Sequence, residues 1–463
     1  MGSLLLYSLL SLAQLFASPN LASPQRGPSF APVPPAVTAA ADLQKAEDAK
    51  APAEAAPQKD EPTPRIESWG EFEPGNGFLI GRSKAGELGI SVYGMMRYIN
   101  QLPPEQTFTD HFGNENPIDT RNDIFAHRFM IFLKGWLATP KLVYTVVLWT
   151  VSTTDQKAIF GVLGYQFSRK FSLYAGLNGL PGTRSIQGSH PFWLAPDRFL
   201  ADEFFRPYFT NGIWAQGEVT PGLWYNIIVG NNNSALGIKA TDLDRKLSYG
   251  GSVWWMPTTH EFGPRGGYGD WERHDKLATR FGAGFTQSPE DRQTSATTGP
   301  SNNTTIRLAD SLNLFDTGSL APGITVQRAD YRVISVDAGV KYRGFFLHAE
   351  AYDRVLDNFA ADGLLPVARI HDRGFHVQGA FFPIRQKLEL YVGTSQIFGD
   401  KDAGFGSPDE YLAGANYYPF QTRNHRLNLH VINVNRSPVS STFGYYVGGQ
   451  KGTTVSLAAS FFF

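Results

Sequence analysis

The side chains with the greatest capacity for chemistry are concentrated in residues 179–210. This stretch is also rich in aromatic residues and is too apolar to extend freely into water. The guanidinium group of arginine can bind two oxygens of one carboxylate or phosphate at once. Charges at a narrow opening favour some solutes over others. Ser189 beside His190 does not predict a hydrolase, because neighbours in sequence seldom reach that geometry and the chain has no GxSxG turn. The candidate residues are Arg184, His190, Arg198, Asp202, Glu203 and Arg206.

The composition limits the class of protein to which the chain can belong. Of its 463 residues, 18% are charged and 13% are aromatic, whereas soluble domains are roughly 25% charged. The absence of cysteine excludes disulfides, thiolate metal sites and cysteine nucleophiles. A formal net charge of −1 is unlike the basic footprint of a nucleic-acid-binding protein. We therefore expect no nucleic-acid partner and no cofactor.

Residues 453–463 have the strict alternation of a β-strand. From Val455 onward their odd-numbered positions are apolar, and their even-numbered positions are small or polar, with Phe462 as the exception. A tilted strand of about ten residues is long enough to cross a bilayer. We expect this strand to pair with the first strand, near residues 88–100, and so to close a barrel.

Similar alternating segments recur through the rest of the chain. Short connections such as 138–140 alternate with long polar ones, as an up-and-down barrel requires. Only the connection 257–278 is longer than expected, so it is either a missed hairpin or a periplasmic insertion. The sequence thus predicts an all-β fold, a transmembrane antiparallel β-barrel with short periplasmic turns and long extracellular loops. We predict about sixteen strands, near residues 88–100, 124–137, 141–152, 158–167, 171–178, 211–219, 223–231, 248–256, 279–287, 333–342, 344–353, 374–383, 387–398, 411–419, 426–435 and 453–463.

The N-terminal part differs in composition from the rest. Residues 1–22 contain a short apolar run and small residues typical of a signal peptide, although no Lys or Arg precedes the run. Residues 23–66 are rich in Ala and Pro and predict a disordered periplasmic spacer. Residues 67–463 are assigned to the barrel. No run of about twenty apolar residues occurs, which excludes transmembrane helices.

Alternation also predicts which charged side chains face the inside of the barrel. A charge facing the lipid midplane costs about 2–4 kcal/mol for Arg or Lys, so mid-strand charges are expected to point inward. His348 and His376 could bind a metal across the lumen, but ordinary hydrogen-bonded histidines are the preferred interpretation. The predicted lumen-facing residues are Arg97, Arg128, Lys134, Glu218, Arg280, Asp337, Lys341, His348, Glu350, His376 and Glu389.

Several motifs resemble those of the phosphate-selective porin O/P family. They are KYRGFFLHAEAYDRVLDNF at 341–359, GISVYGMMRY and FAHRFMIFLKG on the first two strands, and the Tyr417-Tyr418-Pro419 turn. The resemblance covers roughly residues 77–463. It implies a sixteen-stranded outer-membrane porin, a homotrimer that passes solutes by diffusion. The terminal Phe463 resembles the signal that the barrel-assembly machinery reads.

In that family the third long loop folds into the pore, so the resemblance implies that residues 179–210 form the constriction. The function implied is passive diffusion of small hydrophilic solutes or ions, with anions such as phosphate among the candidates. Phosphate selectivity itself does not follow, because three arginines are balanced by Asp197, Asp202 and Glu203.

The expected location is the bacterial outer membrane, reached through the periplasm, with lipid and lipopolysaccharide as partners. Two other functions remain open. One is an outer-membrane barrel enzyme, although no convincing Ser/His or Asp/His pair is visible. The other is a barrel that serves adhesion or tethers the envelope.

Overall fold

The computed structural model describes residues 77–151, 156–187, 191–233, 246–263, 267–292, 306–440 and 444–463. Among these residues no helix is long and apolar enough to cross a membrane. A short helix, α1 (Leu200–Phe205), and a 3-10 turn, Arg184–Gln187, lie between two strands. The strands are β1 (Phe78–Ser83), β2 (Gly86–Leu102), β3 (Glu105–Thr109), β4 (Glu115–Asp119), β5 (Asn122–Leu137), β6 (Thr139–Val151), β7 (Gln156–Ser168), β8 (Phe171–Gly179), β9 (Phe209–Thr220), β10 (Leu223–Gly230), β11 (Ser248–Trp255), β12 (Ala278–Asp291), β13 (Val326–Tyr342), β14 (Phe345–Ala361), β15 (Arg369–Ile384), β16 (Leu388–Phe398), β17 (Asp409–Tyr417), β18 (His425–Asn435) and β19 (Gly452–Phe462).

Sixteen antiparallel strands of the described chain, β2 and β5 to β19, pair in sequence order and close into a barrel. The closure is made by the last strand, which pairs with β2 from Thr453 opposite Leu102 to Phe462 opposite Tyr93. Both the barrel and the pairing of its terminal strand are therefore confirmed. β1 folds back onto residues 86–90 of β2, and β3 pairs with β4 in a separate hairpin.

The tight turns lie at the end of the barrel that holds the C-terminus. One of them, Arg343-Gly344, joins β13 to β14 with both residues at positive φ, 48° and 93°. Turns of this kind suit the right-handed twist of a two-residue hairpin. Glycine adopts a positive φ without steric cost. Local sequence therefore sets this turn and the register of the two strands beside it.

The outer face of the barrel is apolar. On β14, for example, Phe345 and Leu347 are exposed, whereas His348 and Glu350 point inward and are buried. An even number of antiparallel strands, full closure and an apolar outer face characterise bacterial outer-membrane barrels. The architecture accordingly locates the chain in the bacterial outer membrane.

The interior of the barrel contains apolar as well as charged side chains. A large buried cluster joins aromatic and aliphatic side chains of the strands to those of the connecting loops, and Trp224, Trp254 and Phe205 belong to it. Polar groups are therefore not the sole lining of the described interior. These inward apolar side chains avoid water because loops fill the barrel and pack against them.

The connection between β11 and β12 is an insertion at the periplasmic end. In its described part, residues 256–263 and 267–277, it contains no strand. It folds into the mouth of the barrel, where Lys341 Nζ donates hydrogen bonds to the carbonyl oxygens of Phe262 at 2.7 Å and Gly267 at 2.8 Å. Of the two alternatives left open by the sequence, the insertion is the correct one. We call residues 256–277 the periplasmic plug.

Candidate functional site: the third loop inside the barrel

Residues 180–208, here called the third loop, join the extracellular ends of β8 and β9, and their described parts, 180–187 and 191–208, lie inside the barrel. The backbone of Leu200 donates a hydrogen bond to Glu410 Oε1 on β17 at 2.7 Å. On the other side, Tyr331 of β13 donates to the carbonyl oxygen of Phe205 at 2.7 Å. Inner-face residues of separated strands therefore hold the loop within the lumen.

Aromatic packing explains why this segment leaves water. Phe204 and Phe205 of α1 are buried, and Phe205 stacks on Tyr352 of β14 with ring centroids 5.0 Å apart. The guanidinium of Arg354 lies 4.0 Å from the centre of the Phe204 ring. Burial of side chains of this size favours the folded loop by roughly 1.5–3 kcal/mol each.

Asp197 anchors the third loop to three basic residues of the barrel wall. Its Oδ2 accepts from Arg97 Nη1 at 2.5 Å and lies 2.9 Å from His127 Nε2, and its Oδ1 accepts from Arg128 Nη2 at 3.0 Å. Burial raises the pKa of Asp197, but His127, Arg128 and Arg97 outweigh burial and hold that pKa well below its ordinary value. The carboxylate thus ties the loop to β2 and β5.

The guanidinium of Arg184 lies among aromatic rings and not at an open pore constriction. Its guanidinium lies 4.0 Å from the centre of the Tyr268 ring and 5.5 Å from that of Phe262, both in the periplasmic plug. Its backbone donates to Glu350 Oε1 at 2.8 Å. Arg184 therefore joins the third loop to the plug and to the wall of the barrel.

Arg198 belongs to a buried polar group with two other loop residues. Its Nε donates to Ser185 Oγ at 2.8 Å, and Ser185 Oγ in turn contacts Asp202 Oδ1 at 2.8 Å. The Arg198 guanidinium also lies 4.3 Å from the centre of the Trp193 ring. Burial raises the pKa of Asp202 above its ordinary value, although the charge of Arg198 opposes this shift.

Arg206 and Glu203 form a bidentate pair within the loop, with nitrogen–oxygen distances of 2.8 and 2.7 Å. The two residues are three positions apart at the C-terminal end of α1, and their pairing neutralises both charges. His190, the remaining candidate of this loop, lies outside the described residues. The described loop arginines thus contact acids, hydroxyl groups or aromatic rings of the protein.

The predicted lumen-facing residues lie on inner faces of strands and are buried. Several are paired with each other or with a residue of a neighbouring strand, as Arg280 is with Asp337 and as Glu389 is with Asn416 at 2.9 Å. The eleven are Arg97, Arg128, Lys134, Glu218, Arg280, Asp337, Lys341, His348, Glu350, His376 and Glu389. This placement gives their direction, and it does not assign them a role in solute passage.

His127 escaped the sequence analysis because alternation places it on the face opposite Arg128. The structure has a β-bulge here, since Met95 pairs with Arg128 and Met96 with Ala126, leaving His127 as the extra residue. A bulge lets two successive side chains point to the same face. His127 and Arg128 therefore both reach Asp197. The only sign of this arrangement in the sequence is that two basic residues are consecutive.

Phe462, which broke the alternation of the last strand, also has a definite position. Its side chain points into the barrel and is 7% exposed. It meets the edge of the Phe192 ring of the third loop, with centroids 5.6 Å apart. The backbone carbonyl oxygen of Phe192 also accepts a hydrogen bond from the backbone N–H of Tyr268 in the periplasmic plug, at 2.7 Å. The third loop thus reaches down to the periplasmic end of the barrel.

No protein-family model matches the chain, and no curated protein is significantly similar to it. Solved structures of similar fold include an anion-selective porin from Comamonas acidovorans, which is 12% identical over 81% of this chain and 100% of its own, with a TM-score of 0.48. OmpF of Salmonella typhi in complex with daunomycin is 13% identical over 83% and 100%, with a TM-score of 0.47. The channel DcaP of Acinetobacter baumannii is 12% identical over 84% and 99%, with a TM-score of 0.47. Similarities of this size concern the fold alone.

Proposed function

We propose that the chain is an outer-membrane porin that lets small hydrophilic solutes or ions diffuse passively, with the third loop as its constriction. The observation that carries the proposal is the position of this loop inside a closed barrel, where Asp197 fastens it to Arg97 and Arg128. A loop that narrows the lumen in this way controls which solutes pass by size and charge. The motif resemblance to the phosphate-selective porin O/P family supports the same function.

The conducting path is narrow in this arrangement. The inner-face side chains of Lys341, His348 and Glu350 are at most 1% exposed, because the third loop and the periplasmic plug cover them. A group with so little exposure hardly touches water, so ions cannot pass along it without displacement of the covering segments. We expect small conductance steps with frequent brief closures, in contrast to a wide, open pore.

Selectivity for phosphate is not part of the proposal. Phosphate recognition requires guanidinium groups whose donors are available to the ligand, whereas Arg206 is engaged by Glu203 and Arg198 by Ser185. We therefore infer weak ion selectivity. Reversal potentials in a salt gradient test this inference, and a strong anion preference that is lost in Arg198→Ala together with Arg206→Ala would contradict it.

Single-channel recording in planar bilayers tests the porin function directly. The purified protein is first shown to be folded by its heat-modifiable migration in electrophoresis, and conductance steps are then expected. Folded protein that gives no steps at any voltage would refute the proposal. An alternative hydrolase would be supported if a hydrolytic activity were found and His190→Ala abolished it while the barrel stayed folded.

Three further properties belong to the same proposal. The chain assembles as a homotrimer, which cross-linking of the native outer membrane tests. Its folding depends on recognition of Phe463 by the assembly machinery, so deletion of this residue lowers the yield of folded barrel. Residues 23–66 act as a spacer, and a chain that lacks them retains the same conductance.

A further inference from the structure

Three metal-ligating side chains meet on the inner faces of β14 and β15. His348 and Glu350 are two residues apart on β14, and His376 lies directly opposite Glu350 on β15. All three are buried, and their possible ligand atoms lie within 4.8 Å of one another. The two histidines are therefore side by side on neighbouring strands and not on opposite sides of the lumen.

The distance between the facing ring nitrogens suits a bound metal ion. His376 Nε2 lies 3.3 Å from His348 Nδ1. Two nitrogen ligands at about 2.0–2.1 Å from a tetrahedral Zn²⁺ are separated by about 3.3–3.4 Å. The imidazoles already hold this separation, and a carboxylate oxygen of Glu350 lies within 4.8 Å of a nitrogen of each ring.

The other nitrogen of each ring faces an oxygen atom of a neighbouring side chain. His348 Nε2 lies 3.6 Å from Asp337 Oδ1, and His376 Nδ1 lies 2.8 Å from Tyr352 Oη. When an acceptor takes the proton of one ring nitrogen, the opposite nitrogen presents its lone pair, as in most metal-binding histidines. With both rings in this tautomer, the two facing lone pairs would attract a cation placed between them.

Gln378 and Glu350 complete the surroundings of the two nitrogens. Gln378 Nε2 lies 3.0 Å from His376 Nε2 and 3.3 Å from His348 Nδ1, so an amide donor occupies the direction that a metal would take. Turning this amide would present its oxygen as a ligand. Glu350 Oε2 is buried and has no hydrogen-bond partner of standard geometry within the described residues.

We propose that His348, His376 and Glu350 bind one divalent transition-metal ion, with Zn²⁺ as the preferred ion. Imidazole nitrogen and carboxylate oxygen are suitable ligands for Zn²⁺, and the amide oxygen of Gln378 or a water molecule supplies the fourth. Because Glu350 Oε1 also accepts from the backbone of Arg184 at 2.8 Å, the ion would lie directly beneath an anchor of the third loop.

Equilibrium dialysis of the folded barrel against ZnCl₂, followed by metal analysis, tests the site. Metal is supplied both to the folded protein and during folding, because the ligands are buried. One Zn²⁺ per chain is expected to be retained, and Co²⁺ in its place is expected to give the intense visible absorption of tetrahedral coordination. The double variant His348→Gln, His376→Gln should lose both signals, and Glu350→Gln should weaken binding by at least about tenfold.

The matched control is His430→Gln. His430 is also a buried inner-face histidine whose Nδ1 lies 2.8 Å from a tyrosine hydroxyl, that of Tyr391, yet it belongs to no group of three ligands among the described residues. This variant should retain one Zn²⁺. Heat-modifiable migration verifies folding, and His376→Gln alone replaces the double variant if the latter does not fold. Absence of Zn²⁺ from the native barrel, or full retention by the folded histidine variants, would overturn the proposal.

Discussion

The replacement Asp197→Asn tests how the third loop is held in the lumen. It keeps the shape of the side chain but removes the charge that Arg97, His127 and Arg128 contact at 2.5, 2.9 and 3.0 Å. Breaking a buried ion pair by removing one partner costs about 3–5 kcal/mol. An amide oxygen still accepts one hydrogen bond, so the lower end of this range is expected.

A loss of about 3 kcal/mol raises the population of the displaced loop roughly a hundredfold, since about 1.4 kcal/mol corresponds to a factor of ten. In planar bilayers the variant should therefore show a larger mean conductance and more frequent transitions. Hydrogen exchange of the backbone near residue 197 should accelerate by a similar factor. The hydrogen bond from Leu200 to Glu410 lies farther along the loop and should be less affected.

Asp357→Asn serves as the control for this experiment. Asp357 pairs with Arg332 across β13 and β14, and the arginine of this pair is 41% exposed. A pair so exposed contributes about 0–1 kcal/mol, and conductance should stay unchanged. If Asp197→Asn also leaves conductance and exchange at wild-type values, the anchoring role of Asp197 is wrong.

Two other regions give equally direct tests. Burial lowers the pKa of His274, but hydrogen bonds to Asp270 and Glu261 outweigh burial and raise this pKa from 6.5 to about 9. Protonated His274 therefore stabilises the periplasmic plug fully below about pH 6.5, and this stabilisation is lost as the pH rises through 9. Thermal unfolding should accordingly show that the free energy of unfolding is lower at pH 9.5 than at pH 6 by at most about 3 kcal/mol. This difference should be absent in His274→Gln. Phe462→Ala removes the contact with Phe192 and should destabilise the barrel by about 3–5 kcal/mol, measured by heat-modifiable migration. Phe461→Ala, on the outer face, should cost less, and an equal loss would contradict the inward role of Phe462.

Much of the architecture can be predicted from the sequence because it depends on local patterns. Alternation of period two marks each strand, and turns such as Arg343-Gly344 mark the short connections. The cost of exposing a charge to lipid then decides which face of a strand points inward. For this reason the approximate positions of the sixteen barrel strands, the closure through residues 453–462 and the inward direction of Arg97 follow from the sequence, whereas β1, β3, β4 and the extracellular extensions of β13 and β14 do not.

The organisation of the interior could not be derived in this way, because it depends on contacts between distant parts of the chain. Asp197 meets Arg97 from a hundred residues away, and the bulge that brings His127 to the same point shifts the register that alternation assumes. The position of the periplasmic plug in the mouth of the barrel likewise depends on its contacts with Lys341 and with the third loop. Short-range periodicity thus determined the barrel, whereas long-range packing decided what fills it. The same local sequence is compatible with an inward side chain that meets water, a loop or another strand.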